Sequence, residues 1–141
     1  MQLEPFGTLN IRTDPEGLFM LGETSAGKRI IQELLSVRFE GERLRGSMTG
    51  KCAADWLTVD AVGNVTLDIR VLLLTDDGAH VFVTLDGTAR WGEGLGRGPI
   101  YSRVTVESGD ERYRWVNGLP LISKGAVTDG GAVAHQFFEM V

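Results

Sequence analysis

The sequence predicts a single all-β domain, an antiparallel barrel or sandwich, on three observations. Short segments alternate apolar and polar residues with a period of two, the pattern of strands half-buried in a sheet. Glycine occurs 19 times in 141 residues against only 4 prolines, about twice the ordinary share of ~7%. Spread between apolar runs, these glycines read as tight turns and not as a flexible linker. Strands also follow one another without intervening helices, so no βαβ unit is indicated. With 43% hydrophobic and 23% charged residues, the chain (1–141) has the composition of one ordinary globular domain, with no internal boundary or repeat.

Each element has its own signal. Residues 3–12 mix apolar and polar positions as a strand does. Residues 28–36, KRIIQELLS, are the one helical candidate, because Ile30, Ile31, Leu34 and Leu35 recur at helix-like spacing. Residues 43–49 are short and alternating, and residues 54–60 carry Trp56, Leu57 and Val59. In 64–74, NVTLDIRVLLL, Val65, Leu67, Ile69, Val71 and Leu73 share one face, while Thr66, Asp68, Arg70 and Leu72 share the other. Thr75-Asp76-Asp77-Gly78 is a turn signal, and 79–87 alternates again, so 64–87 reads as a β-hairpin. Gly92, Gly94, Gly96 and Gly98 mark a glycine-rich loop, read as a mobile rim or lid. Residues 100–107, 112–117, 119–127 and 132–140 are further strand candidates, giving roughly nine or ten strands and at most one short helix.

Charge and motifs remove several function classes. Lys and Arg total 14 against 19 Asp and Glu, a net charge of −5, which suits neither nucleic acid nor an anionic membrane surface. Arg38, Arg43 and Arg45 are interrupted by Glu40 and Glu42 and read as a solvated mixed-charge face. No apolar run approaches the roughly 18 residues of a membrane span. MQLEPFGTLNIR lacks the basic and apolar blocks of a signal peptide. Cys52 is the single cysteine, read as an incidental thiol beside Lys51, and no intrachain disulfide can form. The expected location is cytoplasmic. Gly22 to Lys28 satisfies the spacing of a phosphate-binding loop, but Arg29 stands where a magnesium-binding hydroxyl is required, so the segment is read as a turn. His80 and His135 lie far apart with no ligand spacing, and no metal site is expected.

The polar strand faces hold the candidate chemistry. Asp68 with Arg70, His80 with Phe82, Tyr101 with Arg103, the set Tyr113, Trp115 and Asn117, and the set His135, Phe137 and Glu139 each share a face. Turned into a lumen, they make an aromatic pocket with acids, bases and a guanidinium. Turned outward, they are the solvated side of a sheet whose Val/Leu/Ile side fills the core, the default for antiparallel sheets. Periodicity alone leaves both arrangements open.

The order of motifs adds a resemblance. Phe39-Glu40-Gly41 with Arg43-Leu44-Arg45-Gly46, then Ala54-Asp55-Trp56, Asp68-x-Arg70, Thr75 to Gly78, Tyr101-x-Arg103 and Tyr113-x-Trp115-x-Asn117 together resemble the DUF3237 family, also called UPF0311. The likeness runs from about Leu3 to Glu139. Val37-Arg38 and Lys51-Cys52-Ala53 stand where the family usually has glycine-rich pairs, a departure that points to a different substrate if those glycines shape the pocket mouth. The resemblance implies a closed or nearly closed lipocalin-like (calycin-like) β-barrel with an internal cavity, and in some members a cofactor-independent enzyme for small, often aromatic or natural-product substrates. It also favours a lumen lined by Asp55, Trp56, Asp68, Arg70, Tyr101 and Arg103.

On this reading the chain is expected to be a lyase or isomerase without metal or cofactor. Arg70 or Arg103 would hold an anionic substrate group through a planar fork, and Asp68 or Asp55 would move a proton. Tyr101 or Tyr113 would donate to a developing oxyanion. Trp56, Phe82 and Trp115 would stack on a ring, with His80 and Asn117 completing the substrate contacts. The expected partner is a small molecule, and a homodimer is left open. Two rivals stand beside this: a barrel that holds a hydrophobic ligand without transforming it, and an Asp68–Arg70 ion pair that merely sets strand register and contributes little.

Overall fold

The computed structural model describes residues 1–141, the side chain of Asp129 apart. Nine strands follow in order: β1 (Leu3–Thr24), β2 (Gly27–Glu40), β3 (Arg45–Met48), β4 (Ala54–Val59), β5 (Asn64–Thr75), β6 (His80–Arg90), β7 (Ile100–Glu107), β8 (Leu121–Val127) and β9 (Ala132–Met140). All pairings are antiparallel, and β1 bonds to both β2 and β9, so the sheet closes on itself. β3 and β4 each pair with both β2 and β5 and share one position end to end. The nine strands therefore fill eight positions around a barrel, a size whose interior takes side chains or one small ligand. No helix among the described residues is long and apolar enough to cross a membrane.

The alternation decides which face is inside. On β5 every odd residue from Val65 to Thr75 is buried, on β6 Val81, Val83, Leu85 and Ala89 are, and on β7 Ile100, Ser102, Val104 and Val106 are. The Val/Leu/Ile face fills the barrel and the even face of β5 meets solvent. The predicted hairpin is β5–β6, paired from Asn64↔Arg90 to Leu74↔His80.

Two elements differ from the sequence expectation. Residues 28–36 are strand, part of β2, and not helix. Ile30 and Leu34 face inward while Ile31 and Leu35 face out, and the pairing steps from Arg12↔Ser36 to Thr13↔Leu34, leaving Leu35 as a bulge. Strand alternation around a bulge imitated helical spacing. Residues 112–117 are not a strand: Glu111–Val116 is a 3₁₀ turn capped by Asp110, whose carboxylate accepts from the Arg112 N–H. The segment Gly22–Lys28 is the end of the β1–β2 hairpin, with Gly22 and Gly27 at positive φ, as the turn reading expected.

The two ends of the barrel are unlike. At one end Phe6, Phe39, Phe137 and Trp115 pack together, with Phe39–Phe137 centroids 5.2 Å and Phe6–Trp115 centroids 6.2 Å apart. The Arg43 guanidinium lies 4.3 Å from the Trp115 ring centroid and pairs with Glu139. Tyr113 donates to Asp77 at 2.8 Å, tying the 3₁₀ turn to the Thr75–Gly78 turn. This end is closed. The other end carries a cavity.

Candidate functional site

The cavity opens between the bulged part of β1, the glycine-rich loop after β6 and the β8–β9 turn, and has a volume of about 250 Å³. Thr13, Leu18, Trp91, Leu95, Gly96, Val127 and Gly131 form its mouth; Ile11, Ile30, Leu57, Leu67, Ile69 and Ile100 form most of its wall. The rim is built by specific bonds. The Thr13 hydroxyl donates to the Gly131 carbonyl at 2.9 Å, the Gln32 amide donates to the Asp14 carbonyl at 2.7 Å, and the Trp91 indole donates to the Gly98 carbonyl at 3.1 Å. The loop over Gly92–Gly98 thus takes its expected place at the rim, anchored through Trp91.

Two ionisable groups reach this apolar space. Asp55 points inward with Leu57 on β4 and is only 9% exposed. The β4–β5 ladder runs through Ala54↔Arg70 and Asp55↔Ile69 and resumes at Thr58↔Thr66. In that gap the Asp68 N–H donates to Asp55 Oδ1 at 3.2 Å. Burial pushes the Asp55 carboxyl up to about 7; the Asp68 N–H opposes this, and the nearby Asp68 charge adds to it. His135, on β9, is fully buried, and burial alone pulls its imidazole down to about 4. Near neutral pH the lumen therefore holds a carboxyl poised between its two forms and an uncharged imidazole, the pairing that general acid–base chemistry uses.

The inner wall beside His135 is prepared for it. Gly125 is its cross-strand partner, and a Cβ at Gly125 would run into the imidazole. Ser102 and Ser123 face each other across β7 and β8 on the same inner surface. Neither hydroxyl, and neither ring nitrogen of His135, has a hydrogen-bond partner among the described residues.

The structure divides the residues expected from the sequence. Asp55 is at the cavity. Asp68, Arg70, Tyr101 and Arg103 are not: they lie on the outer face, and the lumen position expected for them is corrected. Arg70 pairs with Asp68 at 3.0 Å with side chains 55% and 40% exposed, and Arg103 pairs with Asp86. Trp56 also points outward, 5.8 Å from the Arg70 guanidinium. His80, Phe82 and Asn117 line an exterior depression, and Tyr113 and Trp115 cap the closed end. The physical reason is one of parity: the face rich in Val, Leu and Ile buries more apolar area than the mixed face. His135 entered the sequence reading as a member of a candidate lumen face with no role of its own, and Ser102 and Ser123, buried on the inner surface but outside the cavity lining, were not singled out. For His135 a signal existed, since it shares a face with Phe137 on an alternating strand.

Comparisons with solved structures agree on the fold. The family model DUF3237, described as a protein of unknown function, matches residues 1–140. A β-barrel-like protein from Acinetobacter baumannii AYE is similar in structure, with a TM-score of 0.82 and 28% identity over 98% of this chain and 94% of that one. A conserved protein of unknown function from Rhodopseudomonas palustris superposes with a TM-score of 0.86 at 20% identity, covering 99% and 97%. An enzyme from Penicillium herquei superposes with a TM-score of 0.70 at 21% identity, covering 98% and 94%. No curated protein matches the sequence.

Proposed function

The chain belongs to the DUF3237 family of proteins of unknown function, and from that premise we propose that it is a cofactor-independent lyase or isomerase that moves a proton on a small apolar substrate held in the barrel. The observation that carries this reading is Asp55: a carboxyl buried in the wall of an apolar cavity, its pKa pushed to about 7. A carboxyl that only filled structural needs gains nothing from desolvation, whereas one poised near working pH serves equally as base and acid. As base, Asp55 takes a proton from a carbon next to a substrate carbonyl, and the C–H electrons pass to the carbonyl oxygen. As acid, it returns the proton to a different carbon, completing an isomerisation, or to a departing oxygen, completing a dehydration. The Penicillium herquei neighbour, itself an enzyme, is consistent with catalysis in such a barrel.

Solvent exchange tests this without knowledge of the natural substrate. In D₂O, the protein is expected to accelerate deuterium entry beside the carbonyl of small cyclic ketones such as 1-tetralone, and Asp55→Asn to lose that acceleration. If no ketone exchanges faster with the protein than without it, yet apolar molecules bind, the barrel is a carrier. The almost wholly apolar wall favours that second reading in the absence of turnover.

A further inference from the structure

We propose that the free edge of β1, residues 18–23, pairs with the same edge of a second copy of this chain, forming an antiparallel two-fold dimer joined beside the cavity mouth. The inference concerns assembly and holds whether the lumen transforms its ligand or only carries it.

Three observations converge on it. The first is an open edge. β1 pairs with β9 only as far as Arg12↔Ala132. Beyond the bulged stretch, the strand from Leu18 to Thr24 pairs with β2 alone. On its other side, no strand is bonded to residues 18–23 among the described residues. Such an edge presents alternate N–H and C=O groups to any strand laid along it. The second is what the edge carries. Leu18, Phe19, Met20 and Leu21 are consecutive and each is 48% to 59% exposed. Sheet edges are ordinarily guarded by lysine, proline or an inward charge, and residues 18–22 hold none of these. The third is charge, which selects the occupant. Lys28 and Arg29 stand toward the tip of the β1–β2 hairpin, and Asp14, Glu16 and Glu33 stand at its base. None of these five forms an ion pair among the described residues. Glu23 and Asp60 temper the tip and Arg12 the base, without reversing the contrast. An antiparallel two-fold lays the tip of one copy along the base of the other, so the edge is complementary to itself. An anionic membrane surface would instead meet the acidic base of a chain of net charge −5. Four half-exposed side chains from each copy offer roughly 800 Å² of apolar surface. With backbone and flanking groups this approaches the ~1,000 Å² of the smallest specific interfaces, which points to a micromolar dimer. Leu18 also lines the cavity, so the partner's edge stands at its entrance.

The test is sedimentation equilibrium of the full chain from about 1 to about 200 µM, with amide hydrogen exchange at both ends of that range. A monomer–dimer equilibrium is expected within it. The amides of residues 18–23 should exchange at least about 3-fold more slowly at the high concentration, with those of the Ser108–Gly109 turn unchanged. Met20→Lys should weaken the dimer at least about 10-fold, because each dimer would then hold two ammonium groups in its apolar strip. Met20 is 59% exposed, and circular dichroism checks that the variant folds. Lys28→Glu should weaken the dimer roughly 2- to 5-fold by removing the match of tip to base. A chain that stays monomeric throughout, including one that binds neutral lipid vesicles instead, overturns the proposal. So does a dimer whose 18–23 amides exchange equally fast at both concentrations, or one that folded Met20→Lys leaves unweakened. The exchange measurement on the unmutated chain decides the matter even if the variant fails to fold. None of these results bears on the lumen reading, which ketone exchange in D₂O tests separately.

Discussion

Asp55 and Asp68 sit on neighbouring strands, β4 and β5, and are joined by a single hydrogen bond from the backbone of one to the carboxyl of the other. Asp55 turns into the barrel, loses its water and rises to about 7. Asp68 turns out, keeps water, and rests against the Arg70 guanidinium. The same functional group has a different job on each face of one sheet, set by strand parity and not by residue type. A pair that looked like a proton donor beside an anion clamp is a surface ion pair, and the carboxyl able to work as an acid or base is its inward neighbour.

Substitution breaks this comparison most sharply through turnover. Asp55→Asn should reduce ketone exchange roughly 10²- to 10⁴-fold, the range for one proton-transfer group. Asp68→Asn should leave the rate within about twofold, since its side chain is outside. Equal losses in both variants would return the chemistry to the outer face.

The next largest effect is on stability against pH. Asp55 has a folded value near 7 against an ordinary 3.8. The folded state binds that proton more tightly, so this contribution is complete below about pH 4 and is lost as pH rises to 7, roughly 4 kcal/mol at most. His135 has a folded value near 4 against an ordinary 6.5. Its contribution is complete above about pH 6.5 and is lost as pH falls toward 4, roughly 3 kcal/mol at most. Between pH 4 and 6.5 the slopes oppose, because the folded chain keeps its proton on Asp55 and the unfolded chain on His135. Urea unfolding of the wild type should be nearly flat there. Asp55→Asn should uncover a loss of stability toward low pH, and His135→Gln a loss toward high pH. Parallel slopes in the two variants would contradict the opposed burial of acid and base.

Gly125→Ala sharpens the contrast within β8. Its Cβ would meet the His135 ring, so destabilisation of about 1–3 kcal/mol is expected from overpacking, together with displaced His135 ring resonances. Lys124→Ala, one residue away and facing out, should do neither. The smallest effect belongs to the surface pair: Arg70→Gln should leave a thermal melt within error, because exposed ion pairs contribute little.

Much of the fold was legible. The β5–β6 hairpin, the turn at Thr75–Gly78, the place of the glycine-rich loop and the turn reading of Gly22–Lys28 all followed from alternation, turn chemistry and the identity of Arg29. The misreadings share a cause. Ile30, Ile31, Leu34 and Leu35 imitate a helix because a bulge at Leu35 shifts the phase of a strand, and phase shifts are imposed by the partner strand. Tyr113 and Trp115 alternate as strand residues do, yet they close a 3₁₀ turn because Asp110 caps it and Asp77 holds Tyr113. Asp55 entered the candidate site only through the family resemblance, and Ser102 and Ser123 carry no sequence signal separating them from surface serines.

By itself the sequence determined that this chain is a turn-rich antiparallel β protein, with two chemically distinct faces on its central strands, since a period of two is a local property of each segment. Tertiary structure alone decided which face became the inside. A strand offers both faces equally until the sheet closes. Closure then buries whichever set removes more apolar area from water, and only afterwards does a polar residue on that side, such as Asp55 or His135, find itself in a medium that changes its chemistry.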